Sequence, residues 1–92
     1  MLRPFFTKQF KKDVKRLEKS GSKDIEKLKL IINTLIEEKN LDKKHRDHTL
    51  TGYFKDRREC HIEPDWLLIY KLNRKDKAII FERTGSHSDI FE

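Results

Sequence analysis

The chain has 92 residues and a formal net charge of +6, and charged residues (41%) outnumber hydrophobic ones (35%). This length suits one small domain with a modest core, so we expect a single domain over residues 1–92. The single cysteine excludes an intrachain disulfide, and the lack of an apolar run of about 18 residues or of a signal-peptide stretch predicts a cytoplasmic protein without membrane contact.

The positive charge is concentrated in the first half of the chain. Residues 1–50 carry 14 basic and 8 acidic side chains, whereas residues 51–92 carry 8 of each. A basic stretch of this kind attracts a polyanion, most often a nucleic acid, because contacts to phosphates release bound counterions. The alternative is that the charges only solvate a helix face.

A strand and a helix are the first predicted elements. Leu2 to Phe6 is a short apolar segment, and Pro4 restricts such a strand to the edge of a sheet. Thr7 is a suitable N-cap for the helix that follows, and Gly21 ends that helix. The core stripe of this helix comprises Phe10, Val14 and Leu17.

A second helix is predicted from Ser22 or Asp24 to about Lys39, and it forms a helical hairpin with the first. A polar loop over residues 40–51 follows, and Gly52 closes it. The buried stripe of the second helix consists of Ile25, Leu28, Ile32 and Leu35, widened by Ile31 and Ile36.

From Tyr53 onward the apolar period becomes two, which is typical of strands. Gly85 interrupts this pattern and leaves a short tail. The strands are predicted at residues 58–62, 66–72 and 78–84, with turns at residues 63–65 and 73–77. Together the elements predict an α+β fold, with two N-terminal helices packed on one face of a small antiparallel sheet.

The groups that could carry chemistry lie from His48 onward in the chain. His48 is in the polar loop, His61 on a strand and His87 in the tail, with Asp65 and Arg83 close in sequence. Histidine exchanges protons near neutral pH, so this set suits acid–base work on an RNA phosphodiester, with a cation stabilising the extra negative charge. Because the 2′-hydroxyl is the internal nucleophile, that route needs neither a metal nor a cofactor.

Each of these residues also has a simpler interpretation. His45 and His61 could be surface histidines, and Asp65 could only shape the turn. Arg83 could form a surface ion pair of little consequence. Trp66 and Tyr70 are more often core residues than platforms for stacked bases, and Phe91 could only anchor the C-terminus.

A metal site is the competing interpretation of the histidines. His45 and His48 are three residues apart, and His61 and Asp65 could add ligands. The chain has neither a pair of cysteines nor an HExxH motif, so the usual signatures of a zinc site are missing, and we predict no metal. Cys60 falls on the apolar phase of its strand and is predicted to be a small core residue.

Four segments in this order resemble YafQ-type toxins of the RelE/ParE superfamily, and the resemblance covers nearly the whole chain. They are Asp47-His48-x-Leu50-x-Gly52, Arg58-Glu59-x-His61-x-x-Pro64-Asp65-Trp66, Leu68-x-Tyr70 and Arg83-x-Gly85-x-His87-x-x-x-Phe91. Thr49 and Ile90 depart from the family pattern, which usually has proline and leucine there, and neither is a proposed catalytic group.

The resemblance implies a toxin of a type II toxin–antitoxin pair, a RelE-like fold, and cleavage of messenger RNA in the ribosomal A site. The catalytic residues that it implies are His48, His61, Asp65 and His87. The residues that it implies for holding RNA and stabilising charge are Trp66, Arg83 and Phe91. We favour His87 as the general acid, while His48, His61 and Asp65 all remain candidates for the base.

The resemblance also implies partners. These are a DinJ-like antitoxin, the ribosome with its messenger RNA, and operon DNA contacted indirectly through the antitoxin complex. The side chains expected to dock on ribosomal RNA are Lys8, Lys11, Lys12, Lys15, Arg16 and Lys19. The alternative function is a non-catalytic basic module that binds RNA or the antitoxin and acts in operon autoregulation.

Overall fold

The computed structural model describes residues 1–52 and 56–91, so the predicted change of period at Tyr53 and the terminal Glu92 lie outside the described residues. The N-terminal half contains β1 (Arg3–Phe6), α1 (Lys8–Ser20), α2 (Ile25–Ile36), a 3-10 turn (Lys43–His45) and the short β2 (His48–Thr49). The C-terminal half contains β3 (Arg58–Glu63), β4 (Trp66–Asn73), β5 (Ala78–Gly85) and α3 (His87–Phe91).

The described strands form one five-stranded sheet in the order β1-β5-β4-β3-β2. The α+β class is confirmed, and β3, β4 and β5 form the predicted antiparallel meander. The sheet as a whole is mixed rather than antiparallel, because β1 pairs with β5 in parallel. A parallel pair requires a long crossover connection. Here β2, β3 and β4 all separate β1 from β5 along the sequence, so no local signal could reveal the relative direction of the two paired strands.

β1 occupies a sheet edge, as Pro4 predicted. The amides of Arg3 and Thr7 point inward and donate to Lys77 O and Phe81 O of the β5 segment, at 2.8 and 3.1 Å. The Leu2 amide points outward and donates to Ile36 O at the end of α2, at 2.8 Å. This bond ties the start of the chain to the helical hairpin.

The predicted helix caps of α1 are confirmed. Thr7 Oγ1 accepts from the amide of Phe10 at 3.0 Å, and Gly21 is left-handed (φ 67°) with its amide donating to Leu17 O. α2 begins after the N-cap Asp24 but ends at Ile36, earlier than predicted, because the chain turns left-handed at Glu38 (φ 60°). None of the helices in the described ranges is long and apolar enough to cross a membrane.

Two apolar clusters lie on opposite faces of the sheet. The larger one packs α1 and α2 against it and includes Phe10, Leu17, Leu28, Trp66, Tyr70 and Phe81. The smaller one joins Leu67 and Ile69 of β4 to Ile90 of α3, with Leu50 against them. Successive strand residues face opposite sides of the sheet, so β4 needs apolar side chains on both faces when both faces are covered. The second face is covered by α3, a helix in the segment that the sequence had suggested only as a tail.

Candidate active site

The four predicted catalytic residues meet at one end of the sheet. The ring centroid of His61 on β3 is 6.3 Å from that of His48 on β2 and 6.0 Å from that of His87 on α3. Asp65, in the turn between β3 and β4, contacts His87. The three imidazoles therefore form a row with His61 in the middle.

Asp65 and His87 form a doubly hydrogen-bonded pair. His87 donates to Asp65 Oδ1 from Nδ1 at 2.6 Å and from its backbone amide at 3.0 Å. The backbone bond first, and the side-chain bond second, hold the pKa of the Asp65 carboxyl below its usual value. Because Nδ1 is committed to the carboxylate, Nε2 on the far side of the ring is the nitrogen left for proton transfer.

α3 exists because its first turn is capped from both directions. The Ser86 amide donates to Asp89 Oδ2 at 2.9 Å, and the Asp89 amide donates to Ser86 Oγ at 3.1 Å. This reciprocal pair is a capping box, with aspartate in the place of the more common glutamate. It fixes the turn of helix that carries His87.

His61 is a buried residue, so its interpretation as a surface histidine is wrong. Its exposed fraction is 8%, and that of the neighbouring Glu59 is 5%. His61 Nε2 lies 3.2 Å from Glu59 Oε1, and Nδ1 donates to Pro64 O at 3.2 Å. Both ring nitrogens therefore face oxygen acceptors, an arrangement that only the imidazolium cation satisfies fully.

His48 is half exposed and approaches Glu59 from the other side. Its Nδ1 donates to Arg46 O at 2.5 Å, and its Nε2 is 3.7 Å from Glu59 Oε1. Glu59 thus lies between two of the histidines, although the sequence analysis assigned it no role. Glu59 is two residues before His61 and therefore on the same face of β3, and this spacing could have indicated that its carboxylate lies near the catalytic candidates.

His45 is half-buried and has a structural contact. Its Nδ1 donates to His61 O at 2.7 Å, which anchors the backbone of β3 beside the site. The suggested metal site at His45, His48, His61 and Asp65 is not assembled, since the described part of the chain contains no group of three or more potential ligands placed to hold an ion.

Arg83 does not form the surface ion pair suggested as its simpler interpretation. It binds Asp13 of α1, a fully buried carboxylate, through Nε at 2.9 Å and Nη2 at 3.3 Å. Its Nη2 also donates to Asp89 O of α3 at 3.3 Å. Arg83 therefore contacts the element that carries His87.

The predicted RNA contact of Trp66 is wrong, because this side chain is completely buried. Its indole Nε1 donates to Thr84 Oγ1 at 3.0 Å, which satisfies its only polar atom within the core. Phe91 is 44% exposed, and its ring centroid lies 6.3 Å from that of His87. The neighbouring Ile90 is the residue that anchors the C-terminal helix in the core.

The predicted docking residues share the exposed surface of α1. Arg16 also lies 3.4 Å from Asp89 Oδ2, at the edge of the site. The exposed basic residues of this face are Lys8, Lys11, Lys12, Lys15, Arg16 and Lys19.

Cys60 is a buried core residue as predicted, and burial raises the pKa of its thiol.

A family model described as the bacterial toxin YafQ of type II toxin–antitoxin systems matches residues 2–92. The chain belongs to this family. It is similar to the mRNA interferase toxin YafQ of Escherichia coli K12, with 45% identity over 87 residues, which are 94% of this chain and 91% of that protein.

Solved structures of similar chains share the fold. A crystal structure of the E. coli DinJ–YafQ complex matches with a TM-score of 0.89 and 42% identity over 100% of both chains. A metal-bound toxin from Helicobacter pylori matches with a TM-score of 0.91 and 40% identity over 99% of this chain and 100% of its own. The metal named there belongs to that protein.

Replacing Gly85 by alanine is expected to disturb α3 of this YafQ-family toxin. A Cβ atom at Gly85 would lie 2.9 Å from Asp89 Oδ2 and 3.1 Å from Arg16 Nη2, so the capping box must shift. We expect a loss of about 1–3 kcal/mol in the free energy of unfolding, together with faster exchange of the His87 amide. Denaturant titration and hydrogen exchange measure the two effects.

Gly21→Ala is the matched control, because Gly21 also has a positive φ but open space around its Cβ position. It should lower stability without altering exchange of the His87 amide. Equal exchange at His87 in both variants would contradict the role given to the close packing at Gly85.

The Asp65–His87 pair predicts a specific pH dependence. A carboxyl whose pKa is lowered by folding stabilises the folded state fully above its unfolded pKa of about 3.9, and this stabilisation is lost as the pH falls through the lower, folded pKa. The stability difference between the wild type and Asp65→Asn should therefore be constant above about pH 4 and shrink towards zero below it. Denaturant titrations across this range check the prediction, and a difference that does not depend on pH contradicts it.

Proposed function

We propose that this chain is an endoribonuclease toxin that cleaves messenger RNA in the ribosomal A site with the 2′-hydroxyl as nucleophile and no metal. The observation that supports this most directly is the row of three histidines, His48, His61 and His87. Asp65 bonds to His87 at one end of this row, and Glu59 lies between the other two histidines. The name of the E. coli relative, an mRNA interferase toxin, supports the same substrate.

His87 is the general acid of the proposed reaction. Asp65 fixes Nδ1 as a donor, so a protonated ring presents Nε2–H to the departing 5′-oxygen. Phe91 lies beside this ring with nearly half of its surface exposed, which suits stacking against a base of the message.

His48 is the preferred general base. The bond from Nδ1 to Arg46 O selects the tautomer in which Nε2 carries a lone pair, and Glu59 then stabilises the cation formed when Nε2 takes the 2′-hydroxyl proton. Asp65 is less suited to this role, because its hydrogen bonds to His87 lower its pKa and weaken it as a base.

The bond changes balance without an outside reactant. The 2′-oxygen loses its proton to His48 and bonds to phosphorus, the bond from phosphorus to the 5′-oxygen breaks, and His87 protonates the leaving oxygen. His61 lies between His48 and His87, and in its imidazolium form it stabilises the negative charge that develops on the phosphoryl oxygens. The product is a 2′,3′-cyclic phosphate.

Most of the proposed docking charge lies on α1, whereas the proposed catalytic residues lie on the sheet, its turn and α3, and Arg16 stands where the two regions meet. The exposed basic face of α1 supplies sequence-independent attraction to ribosomal RNA. His61, Asp65 and His87 lie in residues 51–92, which carry equal numbers of basic and acidic side chains, while His48 comes just before them. This separation supports a nuclease that relies on the ribosome to present its substrate.

A DinJ-like antitoxin is the proposed protein partner. The support is the DinJ–YafQ complex of the E. coli relative, whose toxin chain matches this one over its whole length. We place the pair in the cytoplasm, where both ribosomes and operon DNA are accessible, and assign contact with DNA to the antitoxin complex.

The decisive experiment is induced expression of this chain followed by primer extension on a translated reporter message. Cuts in phase with codons inside the translated sequence, absent when translation is blocked, are the expected result. An intact message with a folded, expressed protein would leave the basic binding module as the better function.

A further inference from the structure

Asp13 is a buried carboxylate for which the proposed chemistry has no direct use. It lies in the middle of α1, is completely buried, and accepts hydrogen bonds at both oxygens. Its donors are Gln9 Nε2 (3.1 Å), Arg83 Nε (2.9 Å), Arg83 Nη2 (3.3 Å) and the Thr84 amide (3.1 Å), and Arg16 Nη2 lies 3.7 Å away.

A buried charge adds little to the free energy of unfolding, even when this many donors bind it. Removing a carboxylate from water is costly, and apolar side chains of similar volume often stabilise a protein as well as a buried ion pair does. What the carboxylate adds is direction, because each donor is held at a defined place.

The first set of contacts leads to α3. Arg16 and Arg83 both lie against Asp13, and both also reach Asp89: Arg16 Nη2 is 3.4 Å from its carboxylate, and Arg83 Nη2 donates to its carbonyl at 3.3 Å. Asp89 is the residue that caps the helix carrying His87. Two arginines thus connect the buried aspartate to the helix of the proposed general acid.

The second set of contacts leads to the strand that follows Asp65. The Thr84 amide donates to Asp13, while the Thr84 hydroxyl accepts from Trp66 Nε1 at 3.0 Å and donates to Leu67 O at 2.8 Å. Trp66 is the residue after Asp65, so this chain of bonds fixes the base of the turn that holds the carboxylate. Both members of the Asp65–His87 pair are therefore connected to Asp13.

We propose that Asp13 is a positioning residue for the Asp65–His87 pair. Its carboxylate holds α3 through the two arginines and the start of β4 through Thr84, which sets the separation at which His87 and Asp65 bond. This inference rests on the proposed function for its effect on catalysis. The placement of His87 can be measured without RNA.

Asp13→Asn is the main test, because asparagine keeps the shape of the side chain but replaces one oxygen by an NH2 group that faces N–H donors in either orientation. We expect faster exchange of the His87 amide and a weakened Nδ1–H signal of His87 by NMR. On ribosomes programmed with a short message, kcat should fall by about 100-fold with little change in KM, because the docking face of α1 is intact.

Two controls separate positioning from general damage. Glu18→Gln removes one negative charge from the exposed surface of the same helix and should behave like the wild type. Leu35→Ala lowers stability through the core of α2, outside this cluster, and should leave the His87 signals unchanged. A folded Asp13→Asn variant with wild-type His87 signals and kcat would overturn the proposal.

Arg16→Gln is the second test if Asp13→Asn does not fold. It removes the arginine that lies against both Asp13 and the Asp89 carboxylate at a half-exposed site, so the core and the capping box stay intact, and it should change the His87 signals in the same direction. Wild-type signals in this variant would overturn the proposal. Failure of the wild type to cut RNA would instead contradict the proposed function, while the NMR comparison would still decide whether Asp13 places His87.

Discussion

His87→Ala is expected to abolish RNA cutting while leaving the fold intact. A positioned general acid contributes about 100- to 10,000-fold to a rate, and the His87 side chain is more than half exposed, so its removal leaves no cavity in the core. Cleavage measured by primer extension on translated messages should fall by this factor. The circular dichroism spectrum and the midpoint of denaturant unfolding should stay close to those of the wild type.

Ser88→Ala is the control for this result, because Ser88 is the exposed neighbour of His87 on α3. It should cut at the wild-type rate. A fully active His87→Ala variant would remove His87 from the role of general acid and leave His48 and His61 to supply both proton transfers.

Trp66→Ala is expected to cost about 3–5 kcal/mol in the free energy of unfolding, which is a large share of the roughly 5–15 kcal/mol that stabilises a typical domain. The indole is completely buried among the residues between the helices and the sheet, and its loss also leaves Thr84 Oγ1 without its donor. Denaturant titration measures the loss directly. The variant should be depleted in cells for lack of stability rather than for lack of RNA binding.

Trp66→Phe separates the two explanations, because phenylalanine restores most of the apolar volume without the N–H group. We expect an intermediate stability and a wild-type affinity for ribosomes. A stable Trp66→Phe variant that bound RNA poorly would return Trp66 to the role of an RNA contact and contradict its assignment to the core.

Local signals in the sequence predicted the helical hairpin well. Thr7, Gly21 and Asp24 are capping residues that act over a few positions, so their meaning does not depend on the rest of the fold. β2 was missed because it is only two residues long, and it exists through its pairing with Arg58 and Glu59.

Residues of the site were harder to predict where burial depended on distant parts of the chain. Asp13 lies three residues after Phe10 and four before Leu17, on the buried stripe of α1, but its charge hid this signal. His61 was a candidate surface residue because it alternates with Cys60 on the apolar phase of the strand, and Glu59 shares its face. They are buried because neighbouring elements cover both faces of β3, which no pattern within that strand could show.

The resemblance to a family named four catalytic candidates that lie together in the structure, but it did not name the groups that they contact. The partner of His87 is Asp65, and the group between His48 and His61 is Glu59. Only the three-dimensional contacts show that Asp65 bonds to His87 while Glu59 lies between the other two histidines.

The edge strand β1 has a further consequence for self-association. An exposed strand edge invites a strand from another molecule to pair with it, which is a common route to aggregation. Of the outward-facing positions here, the Leu2 amide already donates to Ile36 O and Pro4 has no amide, so an incoming strand would meet a single donor, at Phe6. This edge therefore resists strand addition by another copy of the chain, and the molecules are kept from stacking edge to edge.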